Sequence, residues 1–242
     1  MAINTRAFLG VEGLDQILKD GMSFGTQIMV QGDTGVGKTV LAGDFIKEGL
    51  QCGDTCIYVA CDEPPEAMRQ HLMSFKVGTR AYEKAGRLIL VDAYEEEQST
   101  EKYRISDLNN LEKFFYLEKQ ILNEFKGKKI RLIVDSLSTL LTAVPAEDIL
   151  EFHRSRLKNL RRNNILTMDI FVHGVLDDKI MTISSHLYNI ILKMNFGGSP
   201  AHPVRMIQIG KVRSQRFVAA QYMFNISPTF GIIVASEMEV GV

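Results

Sequence analysis

The chain predicts an α/β fold, with a central and mostly parallel sheet flanked by helices, and three observations lead there. Short apolar runs alternate with helical patterns along its length. Gly32-Asp33-Thr34-Gly35-Val36-Gly37-Lys38-Thr39 fits the phosphate-loop pattern G-x-x-x-x-G-K-[ST] at every specified position. Further on, Ile130-Arg131-Leu132-Ile133-Val134-Asp135 is a mostly apolar run ending in an acid. A strand buried on both faces is hydrophobic throughout, and a carboxylate at its C-terminal end faces the ligand crevice of such a sheet.

The elements follow in order. Gln27-Ile28-Met29-Val30-Gln31 is a short buried strand. In the loop after it, three glycines let backbone N–H groups curl around phosphate oxygens where a side chain would clash. Lys38 sits where its ammonium reaches β- and γ-phosphates. Thr39 offers a hydroxyl to Mg²⁺ at the start of a helix that runs from Val40 to Ile46, with its positive dipole end toward the nucleotide. Gly32 through Thr39, with Val40 behind them, therefore form the expected contact set for a nucleoside triphosphate. Gly53-Asp54 marks a turn, residues 56–60 a strand, Pro65 to Phe75 a helix, and Arg87 to Val91 another strand. Asp92 to Asp107 is polar and acidic, with Glu95-Glu96-Glu97, and is expected as a solvated loop. Leu108, Leu111, Phe114, Phe115, Ile121, Leu122 and Phe125 recur at helical spacing, with Gly127 as the stop. The strand at 130–135 follows. A helix is then expected from Glu147 to Arg162, its His153, Arg154, Arg156, Lys158, Arg161 and Arg162 making a solvated basic face.

Composition narrows the class. The 242 residues, 45% of them hydrophobic, suffice for one substantial core, so a single domain over 1–242 is expected. A formal net charge of -1 supplies no overall field for nucleic acid or an anionic membrane. With no apolar run of membrane-span length and no signal-peptide pattern in Met1 to Arg6, a cytoplasmic chain is expected. Cys52, Cys56 and Cys61 form no C-x-x-C pair and are expected as reduced thiols.

Asp135 is the expected Mg²⁺ acceptor opposite Thr39. Water activation requires a carboxylate near the γ-phosphate, and Asp62-Glu63 follow directly on the strand at 56–60. Adjacent residues of an extended segment point to opposite sides, so one of the pair faces the water. Glu63 is preferred for its reach, with Asp62 as the alternative.

These residues also carry a resemblance, from about Phe8 to Val234, to a single KaiC-type module of the RecA superfamily. Gly10-Val11-Glu12-Gly13-Leu14-Asp15-Gln16-Ile17-Leu18 resembles the family's T-G-[IV]-x-G-L-D-x-[IL]-L lead-in. Tyr58 to Glu66 is similar to its strand ending in a Glu pair and x-P, and Ser74-Phe75 to its S-F-G. Val91-Asp92-Ala93 resembles its D-A, Val134-Asp135-Ser136-Leu137 its V-D-S-[LV], and Lys211-Val212-Arg213 its K-[ML]-R. The resemblance implies a RecA-like core with antiparallel C-terminal strands, ATP and Mg²⁺ as cofactors, and a homo-oligomer, commonly a hexameric ring. It places Ser74 among the nucleotide-contacting residues, and Lys211, Val212 and Arg213 against a neighbour's γ-phosphate. Departures stand beside it. Asp62 replaces the first Glu of the pair, Ser214 a Gly, Arg216-Phe217 the usual His, and Thr167-Met168-Asp169 stands for T-T-E. Only one phosphate loop is present, so a clock role is not implied. Asn195 to His202 is expected as a flexible loop, where recombinase relatives contact DNA, but it carries no Lys or Arg.

Two further readings stand beside a slow ATPase that controls a ring. One is a nucleotide-gated binding module with negligible turnover, read by a protein partner. The other is a DNA recombination mediator, which the charge does not support.

Overall fold

The computed structural model describes residues 6–95, 99–105, 107, 110–199, 201–213, 217 and 220–235. In chain order these form β1 (Arg6–Ala7), α1 (Glu12–Ile17), β2 (Met22–Ser23), β3 (Gln27–Gly32), α2 (Lys38–Gln51), β4 (Thr55–Ala60), α3 (Pro65–Ser74), α4 (Thr79–Lys84), β5 (Leu88–Asp92) and β6 (Tyr103–Arg104). There follow α5 (Leu111–Glu124), β7 (Ile130–Asp135), α6 (Leu137–Leu141), α7 (Ala146–Arg162), β8 (Leu166–Val172), α8 (Asp178–Ser185), β9 (Ile190–Ser199), β10 (His202–Val212), β11 (Gln221–Ser227) and β12 (Gly231–Val234).

One sheet runs β12-β11-β10-β9-β3-β8-β7-β4-β5-β6. From β9 to β6 every pairing is parallel, and β9 through β12 pair antiparallel. This is the RecA-like architecture expected, C-terminal strands included. The period of two shows why the parallel strands are apolar throughout. Ile28 and Val30 of β3, with Tyr58 of β4, pack against α2 and α3. Met29, Ile57 and Val59 face the opposite way, against α5, α6 and α7. Each such side chain withdrawn from water stabilises the fold by about 1.5–3 kcal/mol.

Local chemistry sets the helix boundaries. Pro65 opens α3 at a position where no backbone N–H is required. The Asn110 side chain accepts the Lys113 backbone N–H at 2.9 Å, so α5 starts at Leu111. Leu108 lies outside the described residues, as do Glu96, Glu97, Pro200, Ser214 and Arg216.

Three sequence expectations change. The stretch from Asn195 to His202 is mostly not a loop: β9 extends to Ser199 and β10 begins at His202, paired from Ser199 against His202 down to Ile190 against Val212. The backbone groups of this segment are satisfied in a ladder instead of by water. The acidic stretch after Asp92 carries the short edge strand β6, and Ile105 in it is buried. The basic face of α7 is only partly solvated, because His153 and Arg156 are fully buried. Arg156 meets Glu118 of α5 at 2.6 Å and Asp169 of β8 at 2.7 Å, and the Tyr188 hydroxyl also donates to Asp169. Those two carboxylates offset the cost of burying its charge. Burial holds the His153 imidazole neutral, lowered to about 4. Arg131, the one charged residue of the run 130–134, is buried on the other face against Asp54 at 2.8 Å and the Phe8 carbonyl at 2.7 Å.

Candidate functional site

The C-terminal ends of β3, β4, β7 and β8 meet at one edge of the sheet, and the Gly32–Thr39 loop lies across it. Gly32 closes β3 so near to β9 that an added Cβ would sit 2.0 Å from the Met194 carbonyl oxygen. Only glycine fits there. Gly37, at φ 113, holds a left-handed conformation at the N-cap of α2 and turns the chain into the helix. Val36 is buried, whereas Thr34, Gly35 and Thr39 are exposed and Val40 half-buried.

Lys38 is buried with its ammonium folded into the loop, donating to the Gly32 carbonyl at 3.1 Å and the Asp33 carbonyl at 2.7 Å. Burial lowers its affinity for a proton, while Asp135, Asp33 and Asp62 oppose that. Asp135, at the end of β7, accepts a hydrogen bond from the Tyr58 hydroxyl at 2.9 Å and another from the Thr39 side chain. Desolvation nonetheless pushes its carboxyl up to about 6. A buried carboxylate that is short of positive charge, bonded to a hydroxyl, is a donor set suited to a hard divalent cation.

Asp62 and Glu63 are both exposed. Asp62 is the one turned to the loop: its Oδ1 accepts from the Thr139 hydroxyl, and its charge bears on Lys38 and Asp135. Glu63, the acid preferred for its reach, shows none of these contacts. Ser136 connects the same corner, bonding Ser138 at 3.1 Å and Thr139 at 2.9 Å.

The remaining expected residues lie elsewhere in this chain. Ser74 ends α3, exposed, its hydroxyl donating to the His71 carbonyl at 2.7 Å. With ten residues in α3, that is about 14 Å along the helix from Pro65, the end beside Asp62. Lys211 and Arg213 lie at the other end of the sheet. β10 passes Met194 opposite Ile207 and reaches Ile190 opposite Val212, about 13 Å down β9. A bulge at Gly210 shifts the register just before Lys211. The Lys211 ammonium donates to the Ser185 and His186 carbonyls at 2.9 and 3.3 Å, and Arg213 to the His186 carbonyl at 2.5 Å. These cations cap the C-terminal end of α8, where the helix dipole favours them. Val212 lies between them in β10. Thr167-Met168-Asp169 is interior to β8, with Asp169 committed to Arg156, so it brings no acid to the crevice.

Sequence reasoning missed His173. It follows β8, and its Nδ1 lies 3.0 Å from Asp33 Oδ1. The overlooked signal was a histidine one residue past the end of an apolar run, flanking the loop strand. Asp15 in the lead-in motif also gains a role: its carboxylate accepts the backbone N–H groups of Leu9, Gly10 and Val11 at 2.7, 2.9 and 3.1 Å. Among the described residues, no helix is long and apolar enough to cross a membrane.

Comparison with known proteins adds the family. A model for the family described as "ATPase: KaiC" matches residues 8–239. A UPF0273 protein of Pyrococcus furiosus is 33% identical over 145 residues, 58% of each chain, so the matched stretch spans little more than half of that relative. A UPF0273 protein of Aeropyrum pernix is 26% identical over 237 residues, 95% of this chain and 93% of that one. Among solved structures, a KaiC-like protein of Pyrococcus horikoshii superposes with a TM-score of 0.79, covering 96% of this chain and 99% of that one at 23% identity. At that identity the likeness speaks for the fold.

Proposed function

The chain belongs to the KaiC family of ATPases, and we propose that it binds ATP with Mg²⁺ on the Gly32–Thr39 loop and hydrolyses it slowly between copies of itself. The convergence of Lys38, Thr39, Asp135 and Asp62 at one edge of the sheet carries this reading. Lys38 exchanges its loop carbonyls for β- and γ-phosphate oxygens. Mg²⁺, when bound, neutralises phosphate charge, and Thr39 and Asp135 are the residues that hold it. Asp62, fixed by Thr139, orients the attacking water and takes its proton as the γ-phosphorus–oxygen bond to ADP breaks.

Lys211 and Arg213 lie too far down the sheet to reach the phosphates of their own chain. We assign them, with Val212, to the nucleotide of a neighbour, in a ring such as a hexamer. Residues 1–242 act there as one module, in the cytoplasm, and the nucleotide state is read by a protein partner. The Ser74 contact belongs to the same proposal.

Phosphate release and titration with a fluorescent ATP analogue test the site. Lys38→Ala is expected to weaken binding by about 10- to 100-fold, the loss of a charged contact. Unchanged affinity would place the nucleotide elsewhere. A second reading is favoured by the exposure of Asp62 and its bond to Thr139: a nucleotide-gated module with negligible turnover. Tight ATP retention without phosphate release would select it, and stimulation by single-stranded DNA would select a recombination mediator.

A further inference from the structure

We propose that the cavity at the N-terminal ends of β3 and β9 is a second anion site, in which Arg6, Arg161 and Arg213 bind the phosphate groups of a small phosphorylated ligand. The strand β3 runs about 17 Å from Gln27, beside this cavity, to Gly32, where the phosphate loop begins. The two sites of one chain are therefore separate. The inference goes beyond the assignment of Arg213 to a neighbour's nucleotide, because it stands on the cavity of a single chain and needs no filled loop.

The cavity measures about 420 Å³, within the range of about 300–1,000 Å³ usual for small-molecule sites. Its three arginines come from distant parts of the chain, and each is fixed by a neutral acceptor. Arg6 of β1 donates to the Ser23 hydroxyl of β2 at 2.8 Å. Arg161, in the last turn of α7, donates to the Gln27 side-chain oxygen at 2.7 Å. Arg213, just past β10, donates to the His186 carbonyl, and its backbone N–H donates to the Asn189 carbonyl at 2.9 Å. Gln27 and Asn189 join the last two arginines into one frame. The Asn189 side-chain oxygen accepts the Gln27 backbone N–H at 3.0 Å, and the Asn189 N–H donates to the Gln27 carbonyl at 2.9 Å. Gln27 is fully buried, so this frame belongs to the core.

Positive charge gathers here without a counter-charge. Among the described residues, none of the three guanidiniums pairs with a carboxylate, and each carries more N–H donors than its one side-chain bond uses. Asp20, exposed, is the one acid among the described residues lining the cavity. Lys211 registers the same excess: burial lowers its affinity for a proton, and Arg213 lowers it further. Like charges around a concave wall repel one another, and an anion set between them relieves the repulsion. Guanidinium forks match the paired oxygens of a phosphate group, so arginines on several sides suit a ligand with more than one such group. The Thr26 hydroxyl and the Phe24 ring, on the same wall, offer a donor and an apolar face to the rest of the ligand. Solvent reaches all three arginines, so the affinity is moderate and falls with added salt. If these arginines only hold Ser23, Gln27 and His186 in place, the cavity has no affinity for anions. The phosphate groups have two sources, a free ligand or the nucleotide of a neighbouring copy.

The test is calorimetric titration of inorganic pyrophosphate, at low salt and without Mg²⁺, into the full chain carrying Lys38→Ala, which removes the loop cation. Saturable binding is expected. Adding Arg6→Gln or Arg161→Gln is expected to weaken it by about five- to tenfold each. Arg161→Lys, which keeps the charge and loses the fork, should cost less than about threefold. Arg6 is exposed on a short strand outside the large sheet, so its variant keeps the test decisive if Arg161→Gln misfolds. No binding, or an affinity unchanged by both Gln variants, overturns the inference. A second titration, on wild type loaded with one ATP per chain and Mg²⁺, separates the two sources. Arg161-dependent binding that persists at high protein concentration assigns the cavity to a free ligand. Binding seen in dilute single chains and lost on assembly assigns it to a neighbour's phosphates. The loop reading fails separately: wild type that binds no ATP would sink it and leave the Lys38→Ala titration as it stands.

Discussion

At one end of the sheet Lys38 is buried against its own loop, with Asp135, Asp33 and Asp62 bearing on it. At the other end Lys211 and Arg213 rest on the terminal carbonyls of a helix, reached through a bulge in β10. The first end has glycines that admit an anion, and a hydroxyl and a carboxylate suited to a cation. The second has cations and no glycine loop. The first end has the single cation Lys38, and the second adds two more. On the proposal that Lys211 and Arg213 act on a neighbour's nucleotide, two copies packed end to end bring the two ends together, and comparing variants at each end tests that proposal.

Breaking the second end should have the largest effect. A cation acting on a neighbour's phosphate is worth about 10³ or more in turnover. Arg213→Ala is thus expected to lower hydrolysis per subunit by about that factor while leaving ATP affinity at low protein concentration nearly unchanged. Mixing it with Lys38→Ala should recover part of the activity, since some contacts then pair two sound halves. Mixed assemblies that stay inactive would leave Arg213 as a helix cap and nothing more.

A smaller loss separates the two acids at the first end. Asp62→Asn should reduce phosphate release by about 10²-fold, the usual scale for a positioned base. Glu63→Gln should cost less than about threefold, because Glu63 shares none of the contacts that Asp62 makes with Thr139, Lys38 and Asp135. The reverse order would restore the argument from side-chain length.

An effect smaller than that of Asp62→Asn is expected on the metal. Asp135→Asn should weaken Mg²⁺-dependent binding by about tenfold and binding in EDTA much less. Since the Asp135 carboxyl is pushed up to about 6, protonation should remove its contribution as pH falls through that value. The wild-type gain from Mg²⁺ is therefore expected to fade below about pH 6, and that of Asp135→Asn to show no such fade. Parallel profiles would assign the metal to other ligands.

Much of this arrangement was legible in the sequence, because its signals are local. Glycine spacing, the apolar runs at 27–31 and 130–135, and the helical period after Asn110 are each written within a few residues, and β3, α2, β7 and α5 form where those signals lie. The family resemblance, built on short ordered motifs, is borne out by the match over residues 8–239. Which neighbour each residue meets was a different matter. His153 and Arg156 look like surface charges on a helical wheel, yet Glu118 and Asp169, far off in the chain, take Arg156 inside. Gly197 and Gly198 suggest a loop, yet pairing with β10 keeps that segment in the sheet. That Asp62 meets Thr139, and that His173 touches Asp33, depends on where strands end relative to one another. The sequence by itself determined the periodicities, the turns and the phosphate loop, since these depend on the conformational preferences of adjacent residues. The tertiary structure alone decided which charges are buried together and which acid meets Thr139, since those depend on register and packing between segments distant along the chain.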